Sequence, residues 1–430
     1  GLHGVRQVSA SDLLVQKYGG SSVANVERIG AVAARIAADR AAGKSVVAVV
    51  SAMGDTTDDL LALASQVTGG VLPSAREQDA LLATGEIQSA ALLAMALQAR
   101  GVEAVSLSGA QAGISADGTF GKGRIAAIEP KRVREEVAAG RVVIVAGFQG
   151  VSGTETTTLG RGGSDTSAVA LAAALGAERC QIFTDVTGVY TADPRVVTDA
   201  RQLQVIGYEE MLELANQGAQ VMQTRAVELG WVNGVTIEVL SSFVDQPGTQ
   251  IKEDRQVEQR NKVRGLAADT KVAKVTMVAV PDRPGIAKLV FDPLAVANIN
   301  VDMIVQNVSH DGTTDLSFTT SRSDLAAARP VLEKIRAEIG ARALEIDESV
   351  AKISIVGAGI QNAPGYAARM FGTLADAKVN IQMISTSEIR ITCIVAQADA
   401  DRALKALHDT FDLATPDPVD AAARNAESRA

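Results

Sequence analysis

From Leu13 to about Ile251, short β-branched runs alternate with alanine-rich stretches of helical length. This alternation is the tightest constraint in the chain. Strands separated by helices lie parallel, and a parallel sheet needs helices on both faces to cover it. Residues 13–18, 46–51, 142–145, 181–184 and 236–240 read as strands, and 29–36 and 167–175 as helices. The unit expected over residues 11–251 is an α/β sandwich with a mainly parallel central sheet. The pattern stops at KEDRQVEQRNK, residues 252–262, where charge displaces apolar periodicity. That run reads as a solvated linker, extending to residue 268.

Beyond it the sequence repeats itself. Lys274-Val275-Thr276-Met277-Val278 leads to Pro284-Gly285 and, fifteen residues after that glycine, to Asn300-Val301-Asp302-Met303-Ile304. Lys352-Ile353-Ser354-Ile355-Val356 leads to Pro364-Gly365 and, fifteen residues on, to Asn380-Ile381-Gln382-Met383-Ile384. Helices are expected at 286–297 and 366–377, and third strands at 315–319 and 390–395. The result is two βαβ-type modules of about 70 residues each, 269–347 and 348–416. The patternless stretch from Thr415 onward reads as frayed, with residues 417–430 a flexible tail.

Composition narrows the function. Lys and Arg total 41 against 50 Asp and Glu in 430 residues, a net charge of −9, which disfavours nucleic acid and anionic membrane as partners. Hydrophobic residues make up 47%, enough to bury large cores. Cys180 and Cys393 are too far apart in sequence for a metal pair and fit a reducing, cytoplasmic setting. Apolar runs such as 46–50 and 90–97 fall short of the roughly 20 residues a bilayer requires. The opening Gly1-Leu2-His3-Gly4 lacks a Met and is left out of the fold reading.

Four segments could carry chemistry. Lys17-Tyr18-Gly19-Gly20-Ser21-Ser22 is a strand end and a glycine turn ahead of a helix beginning near Val26, a place where backbone amides face an anion; a surface lysine at an ordinary turn would use the same residues. Thr156 to Ser167 sets three glycines, Arg161, Ser164 and Asp165 at a helix start. Helix capping explains one of these residues but not the Gly-Arg-Gly-Gly run. Phe183 to Arg195 follows a strand with a turn, an aromatic ring and an arginine, suited to a nucleotide or to a plain strand-turn-strand. Gly85-Glu86 falls between two helical stretches, where a solvated charge is the plainer reading.

Gly43-Lys44-Ser45, Gly121-Lys122-Gly123 and Gly357-Ala358-Gly359 lack the strand-to-helix context of a phosphate loop or dinucleotide turn. His3, His310 and His408 have no ligand spacing and read as surface residues, leaving no support for zinc or for histidine-based nucleophilic catalysis. The shortage of histidine bears on the chemistry. Phosphoryl transfer to an alcohol calls for a base, whereas a carboxylate acceptor is already ionised at neutral pH. The carboxylate needs its repulsion from a polyanionic nucleotide cancelled, by Lys17, Arg161, two glycine turns and Mg²⁺.

Lys17 to Ser22, Gly160 to Asp165 and Thr184 to Arg195 resemble, in order, the signature segments of the aspartate kinases, of the amino acid kinase fold, and the duplicated tail resembles tandem ACT modules of ferredoxin-like type. The likeness spans residues 13 to 415. It implies ATP-dependent phosphorylation of the side-chain carboxylate of L-aspartate with Mg²⁺, the first step toward lysine, threonine, methionine and isoleucine, with no metal held by protein side chains. Carried over by position, Lys17 would neutralise the moving phosphoryl group, Asp165 would orient Lys17, and Arg161 would hold an aspartate carboxylate. Glu86 would pair with the substrate ammonium, with Ser51, Thr57 and Ser164 lining the pocket. Lys17, Tyr18, Gly19, Gly20, Thr184, Asp185, Tyr190 and Arg195 would hold the nucleotide.

In the tail, Asp282, Gly285, Ala287 and Gln306 would form one wall of an effector site for lysine and threonine. Asn380 and Ile381 of a neighbouring chain would complete it, with Ser385 at that interface. The resemblance implies a homo-oligomer joined through the modules, or a pairing with a shorter regulatory chain. Two features depart from many relatives: no His-Pro stands within Met222-Gln223-Thr224-Arg225, and Ile87 replaces an arginine. Another acceptor on the same fold (glutamate, N-acetylglutamate or a nucleoside monophosphate) and a catalytically silent amino-acid sensor are the competing readings.

Overall fold

The computed structural model describes Ser9, residues 12–254, 260–308, 311–417 and Asp420. The first unit runs β1 (Leu13–Tyr18), α1 (Val26–Ala41), β2 (Ser45–Val50), α2 (Thr56–Val67), α3 (Ala75–Gln98), β3 (Ala104–Leu107), β4 (Ile114–Ala116), β5 (Ile125–Ile128), α4 (Lys131–Ala138), β6 (Val142–Ala146), β7 (Gln149–Ser152), β8 (Glu155–Thr158), α5 (Gly163–Leu175), β9 (Arg179–Thr184), β10 (Val205–Ile206), α6 (Tyr208–Asn216), α7 (Thr224–Asn233), β11 (Thr236–Ser241) and β12 (Thr249–Ile251). Eight strands form one sheet in the order β10-β12-β11-β9-β1-β2-β6-β3. Only β12 and its neighbour β10 run against the rest. A smaller sheet, β5-β4-β7-β8, lies beside it.

Alternation along the central strands sorts side chains between two cores. Val15, Val47, Val49, Val143 and Val145 pack with Val169 and Leu171 of α5 and Val227 of α7. Tyr18, Val46, Ala48, Val50 and Ile144 point the other way, onto Ile29 and Ile36 of α1 and Leu93 and Leu97 of α3. Both faces are therefore covered, and β6 is apolar throughout, as is β2 beyond Ser45.

One feature differs from the apolar-run expectation. α3 has 24 residues and contains an 18-residue window with a mean hydropathy of 1.5, long and apolar enough to span a bilayer by length and composition. Half of that window is buried inside the protein. Gly85-Glu86 does not separate two helices but lies within this continuous one.

The tail forms two modules. The first is β14 (Val272–Pro281), α8 (Ile286–Val296), β15 (Val301–Gln306), β16 (Thr313–Ser321), α9 (Leu325–Ile339) and β17 (Ala343–Asp347), with strand order β15-β16-β14-β17. The second is β18 (Val350–Val356), α10 (Tyr366–Asp376), β19 (Met383–Ser387), β20 (Arg390–Ala396) and α11 (Ala400–Thr410). Its sheet, β13-β18-β20-β19, takes its edge strand β13 (Gly265–Asp269) from before the first module. The first module is thus an insertion within the second.

This overturns the reading of residues 252–268 as a solvated linker throughout. Leu266 and Ala267 are core residues, and the charges around them are neutralised rather than hydrated. Buried Arg260 pairs with Glu210 at 2.8 Å and Asp254 at 2.7 Å. Arg264, also buried, pairs with Asp417 at 3.0 Å and Asp420 at 3.4 Å. Those two aspartates correct the flexible-tail expectation for the part of 417–430 that is described; residues 418, 419 and 421–430 lie outside the described residues.

Gly357-Ala358-Gly359 serves the same junction, the Ala358 N–H donating to Glu210 Oε1 at 2.7 Å. Cys180 and Cys393 are free and buried. Removing one member of a buried ionic cluster leaves the others uncompensated. Arg264→Met is therefore expected to destabilise the protein by about 3–5 kcal/mol in urea unfolding, since it removes the buried cation that Asp417 and Asp420 share.

Candidate active site

In a mainly parallel sheet, ligands bind beyond the carboxyl ends of the strands, where neighbouring connections diverge. Here β1 has β2 on one side and β9 on the other, and the loops leaving all three reach the same end. Lys17, with the parity of Val15, points to the α5 face. There its Nζ meets Asp165 Oδ1 at 2.7 Å, both side chains being nearly nine-tenths buried. Asp165 lies in the first turn of α5, where a carboxylate also suits the positive end of the helix dipole.

Around this pair is a cavity of about 340 Å³ lined by Gly20, Ser51, Thr57, Glu86, Arg161 and Ser164, together with Ala52, Gly54, Phe148, Gly160, Gly162, Gly163 and Gln223. The structure thus unites every residue expected for the acceptor pocket, drawn from β1, the loop after β2, α2, α3 and the α5 turn. Arg161 is exposed at its mouth.

Glu86 reaches the cavity because α3 packs tightly on the loop after β2. A Cβ at Gly85 would stand 2.9 Å from Ala52 Cβ. Glu86 Oε1 accepts the Ala52 N–H at 3.3 Å, and its Oε2 has no hydrogen-bond partner among the described residues. Burial pushes this carboxyl up to about 7, against a smaller lowering by backbone N–H donors. A buried carboxylate with a free oxygen facing a cavity is a receptor for a cationic group. The α5 turn is equally constrained: Gly162 has φ 72° and a Cβ there would overlap Gln223.

Several supporting residues escaped the sequence reading. Asp79, one face of α3 and two turns before Glu86, accepts the Thr158 N–H at 2.9 Å, the Thr158 hydroxyl at 2.7 Å and the Gly121 N–H at 2.9 Å. It fixes the end of β8, from which the Gly160-Arg161 turn departs. Arg225 donates to the Leu159 carbonyl at 2.7 Å and holds the other side of that turn. Phe148 lines the cavity in a left-handed conformation, φ 67°, unusual for a bulky residue. The i, i+7 spacing of Asp79 and Glu86 was the one available signal; it becomes visible only if α3 is one helix.

The nucleotide residues fare unevenly. Tyr18 is corrected: its even parity turns the ring away from Lys17 into the core, stacked on Phe183 at 4.8 Å with its hydroxyl donating to Gln16 Oε1 at 3.0 Å. Its ring cannot reach a ligand. Gly19 and Gly20 form the turn after β1, and Gly20 lines the cavity. Thr184 ends β9 and Asp185 follows it at the same end of the sheet, both outside the cavity lining. Tyr190 is half-buried, with Thr187 Oγ1 at 2.6 Å from its hydroxyl. Arg195 is exposed and forks onto Asp193, Nε to Oδ1 at 3.0 Å and Nη2 to Oδ2 at 2.8 Å.

The effector residues lie elsewhere. Asp282 and Gly285 lie between β14 and α8, Ala287 lies in the first turn of α8, and Gln306 ends β15 at the same end of that sheet, all exposed. Asn380 and Ile381 precede β19, which contains Ser385. His408 is corrected too. It is fully buried in α11, and burial holds its imidazole below the usual range; His3 and His310 lie outside the described residues.

Comparison with known proteins agrees with this architecture. The amino acid kinase family model matches residues 12–241, and ACT domain models match 274–337 and 353–411. The chain is 49% identical over 406 residues to the aspartate kinase of Pseudomonas fluorescens, covering 94% of this chain and 98% of that one. It is similar, at 26% identity and a TM-score of 0.77, to E. coli aspartokinase III in complex with aspartate and ADP, covering 93% of this chain and 99% of that one. The same enzyme in complex with lysine and aspartate, in its T-state, matches at a TM-score of 0.73 and 26% identity over 93% of this chain and all of the other. The chain therefore belongs to the amino acid kinase family and, within it, to the aspartate kinases.

Proposed function

We propose that this chain transfers the γ-phosphoryl group of ATP to the side-chain carboxylate of L-aspartate, giving 4-phospho-L-aspartate and ADP. One observation carries the reading: the Lys17–Asp165 pair, 2.7 Å apart, sits in a cavity that also presents Arg161 and Glu86. An amino acid has a cationic and an anionic end. Glu86 takes the ammonium, Arg161 takes a carboxylate, and Ser51, Thr57 and Ser164 supply hydroxyls between them. Gly19, Gly20, Thr184, Asp185, Tyr190 and Arg195 hold the nucleotide, and Arg195 exchanges Asp193 for phosphate oxygen.

The chemistry asks little of the protein beyond charge. A carboxylate oxygen attacks the γ-phosphorus, the bond to the β–γ bridging oxygen breaks, and its electron pair leaves with ADP; no proton is abstracted. The obstacle is repulsion between two anions. Lys17 offsets it at the transferring group, and Asp165 fixes the direction of the ammonium so that no reorientation is needed in the transition state.

Mg²⁺ suits the donor set here as a companion of the nucleotide. The cavity's two carboxylates are committed, Asp165 to Lys17 and Glu86 to the substrate, so the ion would be held by phosphate oxygens and water and would screen their charge.

The likeness to a lysine-bound aspartokinase supports regulation by free amino acids. Lysine and threonine bind near Asp282, Gly285, Ala287 and Gln306, with Asn380, Ile381 and Ser385 of a second chain closing the site. Edge strands β15 and β19, with Ile304 and Ile384 exposed, suit such pairing.

Three outcomes test this. Lys17→Ala is expected to lower kcat by at least about a hundredfold, measured by ADP release and hydroxylamine trapping of the acyl phosphate, with an unchanged circular dichroism spectrum. Since burial raises Glu86 to about 7, the KM for aspartate should rise as pH falls below that value and the carboxylate takes up a proton. Glu86→Gln should have a uniformly high KM without that dependence. Asp282→Ala should weaken inhibition by lysine plus threonine while kcat without effector stays at the parental value.

A further inference from the structure

The second half of the nucleotide loop and the residues just after it are packed by the regulatory part of the chain. Ala192 and Val197 are buried in one apolar cluster with Ile353 and Ile355 of β18 and Leu404 and Leu407 of α11. Thr191, between Tyr190 and the Asp193–Arg195 fork, is buried and bonded on three sides. Its carbonyl accepts the N–H of Leu266 in β13 at 2.7 Å. Its hydroxyl accepts the N–H of Arg201 at 2.9 Å and lies 2.8 Å from His408 Nε2. Arg201 pairs in turn with Asp420 at 2.6 Å, which shares Arg264 of the segment entering β13.

His408 is the centre of this contact. Burial keeps the ring neutral at physiological pH, so it joins Thr191 as a hydrogen-bond partner and not as a charge. Its other nitrogen, which has no hydrogen-bond partner among the described residues, faces the exposed Asp199 at 3.7 Å. With the Thr191 hydroxyl accepting from Arg201, its own proton is free to go to Nε2, which uses both capacities of a buried group.

We infer that His408 is a positioning residue for nucleotide binding: acting through the Thr191 hydroxyl, the second ACT module holds the loop that carries Tyr190 and Arg195 in its binding shape. This rests on the reading of residues 184–195 as the nucleotide loop. No catalytic-unit side chain other than the loop's own reaches Thr191 Oγ1 among the described residues; the module supplies that partner. Undocking α11 or losing the imidazole leaves a buried hydroxyl half-satisfied and frees the loop, which costs affinity for nucleotide and leaves the acceptor cavity intact.

The test is steady-state kinetics on the full chain. Thr191→Val, which keeps the shape and removes the hydroxyl, and His408→Leu are each expected to raise the KM for ATP by about five- to tenfold, with the KM for aspartate changed less than about twofold. The double variant should be no worse than the more affected single one, because both remove the same bond. His408→Gln, whose amide can occupy the place of Nε2, should restore the KM for ATP. If His408→Leu fails to fold, Thr191→Val decides alone. An unchanged KM for ATP in Thr191→Val, with only a lowered Tm, overturns the inference. Tyr190→Ala and Arg195→Ala separate the two ways of failing. If they also leave the KM for ATP unchanged, the loop does not bind nucleotide. If they raise it while Thr191→Val does not, the loop binds nucleotide and only the role of His408 is wrong.

Discussion

The ion pair between Lys17 and Asp165 is the constraint around which the catalytic unit is arranged. One partner lies next to the last residue of β1 and the other in the first turn of the helix packed on that strand, so their 2.7 Å contact exists only if β1, β9 and α5 are all in register. A lysine alone at this depth would be costly, and a lone aspartate would repel both substrates. Paired, they form a local dipole whose cationic end faces the cavity, the arrangement needed where two anions must approach.

Rigidity around the pair comes from groups that never meet a substrate. Asp79 and Arg225 hold the Gly160–Gly163 turn from opposite sides, one from α3 and one from α7. The close packing of α3 on the loop after β2 places Glu86, and a single helix thereby carries both an acceptor-binding carboxylate and a turn-fixing one. Precision at the site is built from buried hydrogen bonds to backbone, which resist displacement because water cannot replace them.

The regulatory half is interlaced with the catalytic half and with itself. Because β13 belongs to the second module's sheet while the first module is inserted behind it, the chain enters, leaves and re-enters that module. The buried cluster of Arg201, Arg264, Asp417 and Asp420 then ties the catalytic unit, the β13 segment and the chain's end together. Charges that look solvated in sequence are desolvated here because each has its opposite in reach.

The parallel sheet, the helix after each glycine turn and the duplicated module were legible in the sequence, whereas Ser51, Thr57 and Glu86 entered the acceptor pocket only through the family resemblance, since Glu86 by itself read as a solvated charge. Period-two and helical patterns, glycine turns and residue type are local properties, and they are written in the order of the residues. Strand parity even held the correction for Tyr18, since an odd-numbered Lys17 facing α5 obliges its neighbour to face the core. What only the tertiary structure decided were the long-range partnerships. These include the burial of Arg260 and Arg264 in what reads as a charged linker, the docking of Asp417 and Asp420, the pairing of β13 with β18, and His408 against Thr191. Each depends on which distant group the fold brings opposite, and a charge or an imidazole carries no mark in sequence of whether its surroundings will be water or a matching partner.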